Sequence, residues 1–214
     1  MPGLIFFNLD GTLIDSRLDL AGAVNQIRSS MGLEPADAGE DRIVQYSGPR
    51  VVNQARRAIA DPEIDFDTAL ARMKRFYAEH ISATLRLYPG VRAGLAELHQ
   101  SGVKLAVVTN RPADDATAQL GRFGIAADID KVVGGDCDYP LKPAPDALIA
   151  VQNAFAQPKE RCWFFGDNAI DLEAARRAGF RRVFARYGGG DPGKEEADFE
   201  VGSFAEFVTA IRGF

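Results

Sequence analysis

Four short polar clusters in this chain have the residue types and spacing for chemistry at phosphorus. They are Asn8-Leu9-Asp10-Gly11-Thr12, Thr109-Asn110-Arg111, Lys142-Pro143-Ala144-Pro145 and Gly166-Asp167-Asn168-Ala169-Ile170-Asp171. Phosphoryl transfer needs an in-line nucleophile, neutralisation of charge on the transferring oxygens and a proton donor for the leaving oxygen. Asp10 can act as general acid and base, protonating a leaving group and later deprotonating water. Asp167 offers a hard oxygen ligand suited to Mg²⁺. Asp171, one helical turn on, can orient Asp167 or a water on the metal. Thr109 and Asn110 can donate hydrogen bonds to phosphate oxygens, and the Gly11 and Thr12 backbone amides can add donors. Lys142 brings a compact positive charge that also balances the clustered carboxylates. Taken singly, each cluster has a plainer reading as a turn, a helix cap, a rigid loop or a capped helix start. All four end or follow a strand-like run, in order along the chain, and together they resist that reading.

The elements that must position these clusters are legible as alternating apolar runs and helical patterns. Leu4-Ile5-Phe6-Phe7, residues 103–108 and Cys162-Trp163-Phe164-Phe165 read as buried strands, with Lys131-Val132-Val133 and Arg182-Val183-Phe184-Ala185 as shorter ones. Near-continuous apolar strands fit a parallel sheet covered on both faces. Val91, Leu95 and Leu98 have helical spacing and stop at Gly102. Leu148, Val151 and Phe155 repeat the pattern, as do Leu172, Ala175 and Ala178 before Gly179. Such alternation predicts a doubly wound, Rossmann-like α/β fold, which binds ligands beyond the carboxyl ends of its strands. Residues 15–84 break the alternation with three apolar stripes at helical spacing: Leu20, Val24, Ile27 and Met31; Val51, Val52, Ala55 and Ile59; Leu70, Met73, Tyr77 and Ile81. This stretch reads as an all-helical cap domain inserted after the first strand. Residues 1–14 and 85–214 then form the α/β core, which the chain rejoins near Leu87-Tyr88-Pro89-Gly90.

Composition narrows the class. The 214 residues are 46% hydrophobic and 26% charged, as in a globular protein. A net charge of −5 argues against a nucleic-acid-binding surface. No apolar run approaches the roughly 20 residues of a membrane span, and no basic segment leads into an apolar core at the N-terminus. The two cysteines, Cys137 and Cys162, lack metal-ligand spacing and read as reduced thiols of a cytoplasmic protein. His80 and His99 lie on helical stretches without matching partners.

The four clusters, with a helical insertion between the first and second, resemble the haloacid dehalogenase superfamily over essentially the whole chain. Within it the chain is similar to the phosphoglycolate-phosphatase-like group, which has a small helical cap in that position. The resemblance implies that position 8 is the nucleophile and a metal ligand, and there the family's Asp is Asn8. A carboxylate can form an aspartyl-phosphate, whereas a neutral amide is a poor nucleophile and a weaker ligand. Asp10 then matches the acid/base, its main-chain carbonyl also binding metal. Thr109 matches the phosphate-binding Thr or Ser, Lys142 the lysine of the third motif, and Asp167 and Asp171 the acidic motif. Asn168 stands where Ser or Thr is common. Asp10 is absent from the metal-independent dehalogenases, so the resemblance implies a Mg²⁺-dependent phosphatase of a small phosphorylated metabolite, monomeric or homodimeric, phosphoglycolate being the first candidate substrate. A phosphonatase would need a cap lysine, and the only one, Lys74, sits within a helical stripe.

Three residues bear on specificity. Tyr46-Ser47-Gly48-Pro49-Arg50 resembles the family's cap loop that faces the active site, so Gly48 would shape the turn and Arg50 contact a second anionic group of the substrate. Arg111 could assist. Asn8 has two possible origins: a substitution that traps substrate or metal, or a native amide in a protein that binds a phosphorylated ligand without turnover. A phosphomutase, which returns the phosphoryl group to its intermediate, shares the same motifs.

Overall fold

A computed structural model of the chain describes residues 1–17 and 85–213, together with Ser29, Gly32 and Glu34. The chain divides into two compact units, Met1–Ile14 with Leu87–Phe214, and Asp15–Arg86. The helical stripes expected between residues 15 and 84 lie almost entirely outside the described residues. So do Gly48, Arg50, Lys74 and His80.

The first unit is built on six parallel strands. They are β1 (Leu4–Phe7), β4 (Lys104–Val108), β5 (Lys131–Val133), β6 (Cys162–Gly166), β7 (Arg181–Ala185) and β8 (Phe199–Val201), in spatial order β5-β4-β1-β6-β7-β8. Two short strands, β2 (Ile14–Asp15) and β3 (Arg86–Leu87), pair where the chain leaves and re-enters this unit. The helices are α1 (Val91–Gln100), α2 (Ala113–Arg122), α3 (Asp146–Ala154), α4 (Ala169–Ala178) and α5 (Phe204–Ile211). Every strand expected from the apolar runs is present. Strands β8, β2 and β3 lie outside those expected from the sequence, because each is two or three residues long with a charged residue in it and has no apolar run.

Alternate residues of the central strands face opposite layers, which explains their uninterrupted apolar sequences. On one face Leu4, Phe6, Cys162 and Phe164 pack with Leu148 and Val151 of α3 and Ala174, Ala175 and Ala178 of α4. Phe6 stacks on Phe164 and Phe180, with ring centroids 6.4 and 5.2 Å apart. On the other face Phe7 and Phe165 meet Phe204 and Phe207 of α5. From β1 the chain builds outward through β4 and β5, then returns to β6 on the opposite side of β1. The carboxyl ends of β4, β1 and β6 therefore surround the switch point where such sheets bind ligands. Among the described residues no helix is long and apolar enough to cross a membrane.

Candidate active site

The four clusters meet at those strand ends. Asn8 follows β1 directly and is tied to β6 by its main chain, donating to the Phe165 carbonyl at 3.0 Å. The chain then turns tightly at Gly11 (φ 79°), where a Cβ would lie 2.1 Å from Asp167 Oδ2. Thr12 donates its hydroxyl to Asp167 Oδ1 at 3.3 Å. A side chain at position 11 would displace the carboxylate that the loop embraces.

Lys142 and Asp171 form the buried charge pair of the site. Lys142 Nζ donates to Asp171 Oδ1 at 2.7 Å and to Asn8 Oδ1 at 3.0 Å. The two side chains are 2% and 0% exposed, and the ammonium also lies 5.2 Å from the Phe164 ring centroid. Asp171 Oδ2 accepts from Asn8 Nδ2 and from the main-chain N–H groups of Asp167 and Asn168. Both carboxylate oxygens are thus occupied by protein donors. Asp171 thus both closes the start of α4 and holds the Lys142 ammonium.

Asp167 is buried. Its carboxyl is raised to about 7, by desolvation first and by the Asp171 charge second, against the opposing pull of Asn8, Lys142 and Thr12. Asp10 is held by a two-point fork from Arg111, whose Nε and Nη2 lie 3.0 and 2.8 Å from its carboxylate oxygens. Arg111, considered from sequence as an aid to substrate binding, instead grips the acid/base candidate.

Three further expectations are corrected by the geometry. The Gly11 and Thr12 N–H groups donate to Ile14 O (2.9 Å) and Leu9 O (3.3 Å), because the tight turn folds them onto its own carbonyls. They do not point toward a phosphate. The Asn110 side chain is likewise engaged: Nδ2 donates to Lys142 O at 3.2 Å, and Oδ1 accepts from Lys142 N at 3.0 Å. This reciprocal pair seats the Lys142 loop against the end of β4, so Asn110 positions the lysine. Thr109 Oγ1 accepts from Arg111 N at 3.2 Å and keeps its hydroxyl hydrogen for another acceptor. His99 faces Asp128 at 3.6 Å on α1.

The segment after β7 also contributes, and sequence reading passed over it. Tyr187 donates its hydroxyl to Thr12 O at 2.8 Å. Burial, and secondarily the Asp167 charge, raise its phenol far above the ordinary value. Gly188 and Gly190 lie so close that a Cβ at either would come within 2.1 Å of Gly11 O or Asp167 O. The glycine run at 188–190 after a strand was the available signal.

A divalent cation would require oxygens converging on one point. The Asp10 carbonyl and Asp167 Oδ1 do converge, but on Asn8 Nδ2, which donates to them at 3.0 and 3.3 Å. Asn8 Oδ1 faces away, accepting from Leu9 N and Lys142 Nζ. Among the described residues no group of three or more His, Cys, Asp or Glu is placed to hold a metal. With Asn8 oriented this way, the donor set does not fit such an ion.

This parallel sheet, with its four clusters at one edge, defines a class of phosphate-handling α/β hydrolases. Residues 5–185 match the family of haloacid dehalogenase-like hydrolases, and the chain belongs to it. The chain is similar to a phosphoglycolate phosphatase from Chromobacterium violaceum, 36% identical over 215 residues, covering 97% of this chain and 96% of that one. It is similar in structure to a predicted phosphoglycolate phosphatase from Haemophilus somnus, with a TM-score of 0.90, 28% identity and coverage of 98% and 97%. CbbY from Rhodobacter sphaeroides in complex with phosphate has a TM-score of 0.76 at 26% identity, covering 97% of this chain and 96% of that one.

Proposed function

We propose that this scaffold hydrolyses a small phosphomonoester, with phosphoglycolate as the first candidate, and that Asn8 withholds the nucleophile. The observation that carries the reading is the position of Asn8 Oδ1. It lies at the end of β1, 3.0 Å from the buried Lys142 ammonium, where an attacking carboxylate oxygen would stand beside a charge for the phosphoryl group. Asp10, gripped by Arg111, is the acid/base. Thr109 supplies a hydroxyl donor to phosphate, while Asp171 and Asn110 orient Lys142. The C. violaceum relative, named a phosphoglycolate phosphatase, supports the substrate class.

The metal belongs to the Asn8→Asp form. There a carboxylate at position 8 would join the Asp10 carbonyl and Asp167 as an oxygen set suited to Mg²⁺, which when bound supplies charge neutralisation for the phosphoryl oxygens. We assign the inserted residues 15–84 to a cap that selects the remainder of the substrate, with Gly48 and Arg50 in its facing loop. The free thiols of Cys137 and Cys162 fit a cytoplasmic setting.

The test is a panel of phosphomonoesters assayed for free phosphate in the presence of Mg²⁺. The unaltered chain should show almost no turnover, and Asn8→Asp should raise it by several orders of magnitude, as nucleophile replacement does in other covalent enzymes. Absence of phosphate release from every ester by the Asn8→Asp protein would refute the phosphatase reading. Full activity of the unaltered chain would refute the nucleophile assignment.

A further inference from the structure

We infer that the Asn8 side-chain amide takes the place of a divalent cation in this site and makes the folded core independent of one. The inference rests on reading the cluster as a phosphatase site, but it concerns what holds that site together. The amide has one workable orientation. Its oxygen meets two donors, Leu9 N–H at 2.8 Å and Lys142 Nζ at 3.0 Å. Its nitrogen meets three acceptors: Asp10 O at 3.0 Å, Asp171 Oδ2 at 3.2 Å and Asp167 Oδ1 at 3.3 Å. A flip would set an oxygen against three oxygens and an NH₂ group against an ammonium and an N–H. As placed, both amide hydrogens are shared among the three acceptors, and the side chain's hydrogen-bonding capacity is fully used.

An aspartate in the same place has no hydrogen to offer. One of its oxygens would stand at the present position of Nδ2, 3.0–3.3 Å from a carbonyl and two carboxylate oxygens, in a partly buried setting. Such a cluster needs a cation or a proton to hold it. The formal charges lead to the same conclusion. With Asp167 ionised, Asp10, Asp167 and Asp171 against Arg111 and Lys142 leave three minus two, or one net negative charge among these five groups, with Asn8. An aspartate at position 8 would make it two. The amide both removes a charge and supplies the donors that draw the strand ends of β1 and β6 together.

Thermal melting in EDTA and in millimolar Mg²⁺ tests this without reference to catalysis. The unaltered chain should melt at the same temperature in both. Asn8→Asp should melt lower in EDTA by on the order of 5 °C, from the unsatisfied buried acceptors, and Mg²⁺ should restore the loss. Asn8→Ala, which removes the donors without adding charge, should also become stabilised by Mg²⁺, and it decides the matter if Asn8→Asp does not fold in EDTA. In nuclear magnetic resonance spectra the Asn8 side-chain NH₂ signals of the unaltered chain should not move on adding Mg²⁺. Equal Mg²⁺ stabilisation of all three proteins, equal stability of Asn8→Asp and the unaltered chain in EDTA, or displacement of the Asn8 signals by Mg²⁺ would overturn the inference. Phosphate release by Asn8→Asp is a separate readout, so a failure of the phosphatase reading is distinguishable from a failure of this one.

Discussion

Replacing Lys142 by methionine isolates the buried charge pair on which the site is assembled. Methionine keeps the length and much of the apolar volume of the lysine stem, so packing against Phe164 changes little. What disappears is the ammonium 2.7 Å from Asp171 Oδ1, in a pair whose side chains are 2% and 0% exposed. Removing one partner of a buried pair costs about 3–5 kcal/mol, because the other charge stays buried and uncompensated. Asp171 keeps three donors, from Asn8 Nδ2, Asp167 N and Asn168 N, which places the expected loss near the lower end, about 3 kcal/mol. For a chain of this size that is a fall of roughly 6–12 °C in melting temperature. Urea denaturation followed by circular dichroism would measure it. Adding Asp171→Asn should restore at least half the loss, since the orphaned charge is then gone, and the double-mutant cycle should show coupling above about 1.5 kcal/mol. A loss under about 1 kcal/mol, as for an exposed ion pair, would mean that water reaches Asp171 and that the buried-pair argument is wrong.

Other perturbations have equally direct readouts. Asp167 has its folded value raised to about 7, so the folded chain holds a proton that the unfolded chain releases near the ordinary value of about 3.9. Its contribution to stability is full below the unfolded value and lost as pH rises through about 7. In EDTA the urea midpoint should therefore fall between about pH 4 and pH 7, and Asp167→Asn should flatten that fall; an unchanged slope would contradict it. Asp130 and Asp198 have the opposite sign: burial raises each, hydrogen bonds from Lys104 and Arg182 outweigh it, and their contribution is lost only as pH falls through their lowered values. Gly188→Ala should cost about 1–3 kcal/mol, because its Cβ would meet Gly11 O at 2.1 Å and Asp167 Cβ at 2.4 Å. Gly121→Ala in α2, with nothing within 4 Å, should be neutral or stabilising in the same denaturation assay. In the Asn8→Asp background, Arg50→Ala should raise KM roughly tenfold to a hundredfold for the best substrate and much less for a small generic phosphate ester; equal losses on both would remove Arg50 from specificity.

The central strands of this protein were legible from the chain alone because burial on both faces leaves no room for polar residues. Leu4-Ile5-Phe6-Phe7 and Cys162-Trp163-Phe164-Phe165 could hardly be anything but interior strands. The position of the candidate site was legible for a related reason. Chemistry at the carboxyl ends of such strands falls on the first polar residues after each apolar run, which are Asn8, Thr109 and Asp167, and on the Lys142 loop. The edge strand β8 was not legible: its three residues find a partner in β7, but Phe199-Glu200-Val201 is interrupted by a charge, whereas the equally short edge strand β5 shows in its paired valines. Nor could the chain alone say where each hydrogen bond goes. Asn110 looks like a phosphate donor until β4 and the Lys142 loop are brought together, and Arg111 looks free for substrate until β4 is set beside β1 and Asp10. The direction of the Asn8 amide depends on groups up to 163 positions away, supplied by the pairing of β1 with β6 and by the Lys142 loop. Residue type is a local property, but which donor faces which acceptor is a property of neighbouring strands, and that only the tertiary structure decides.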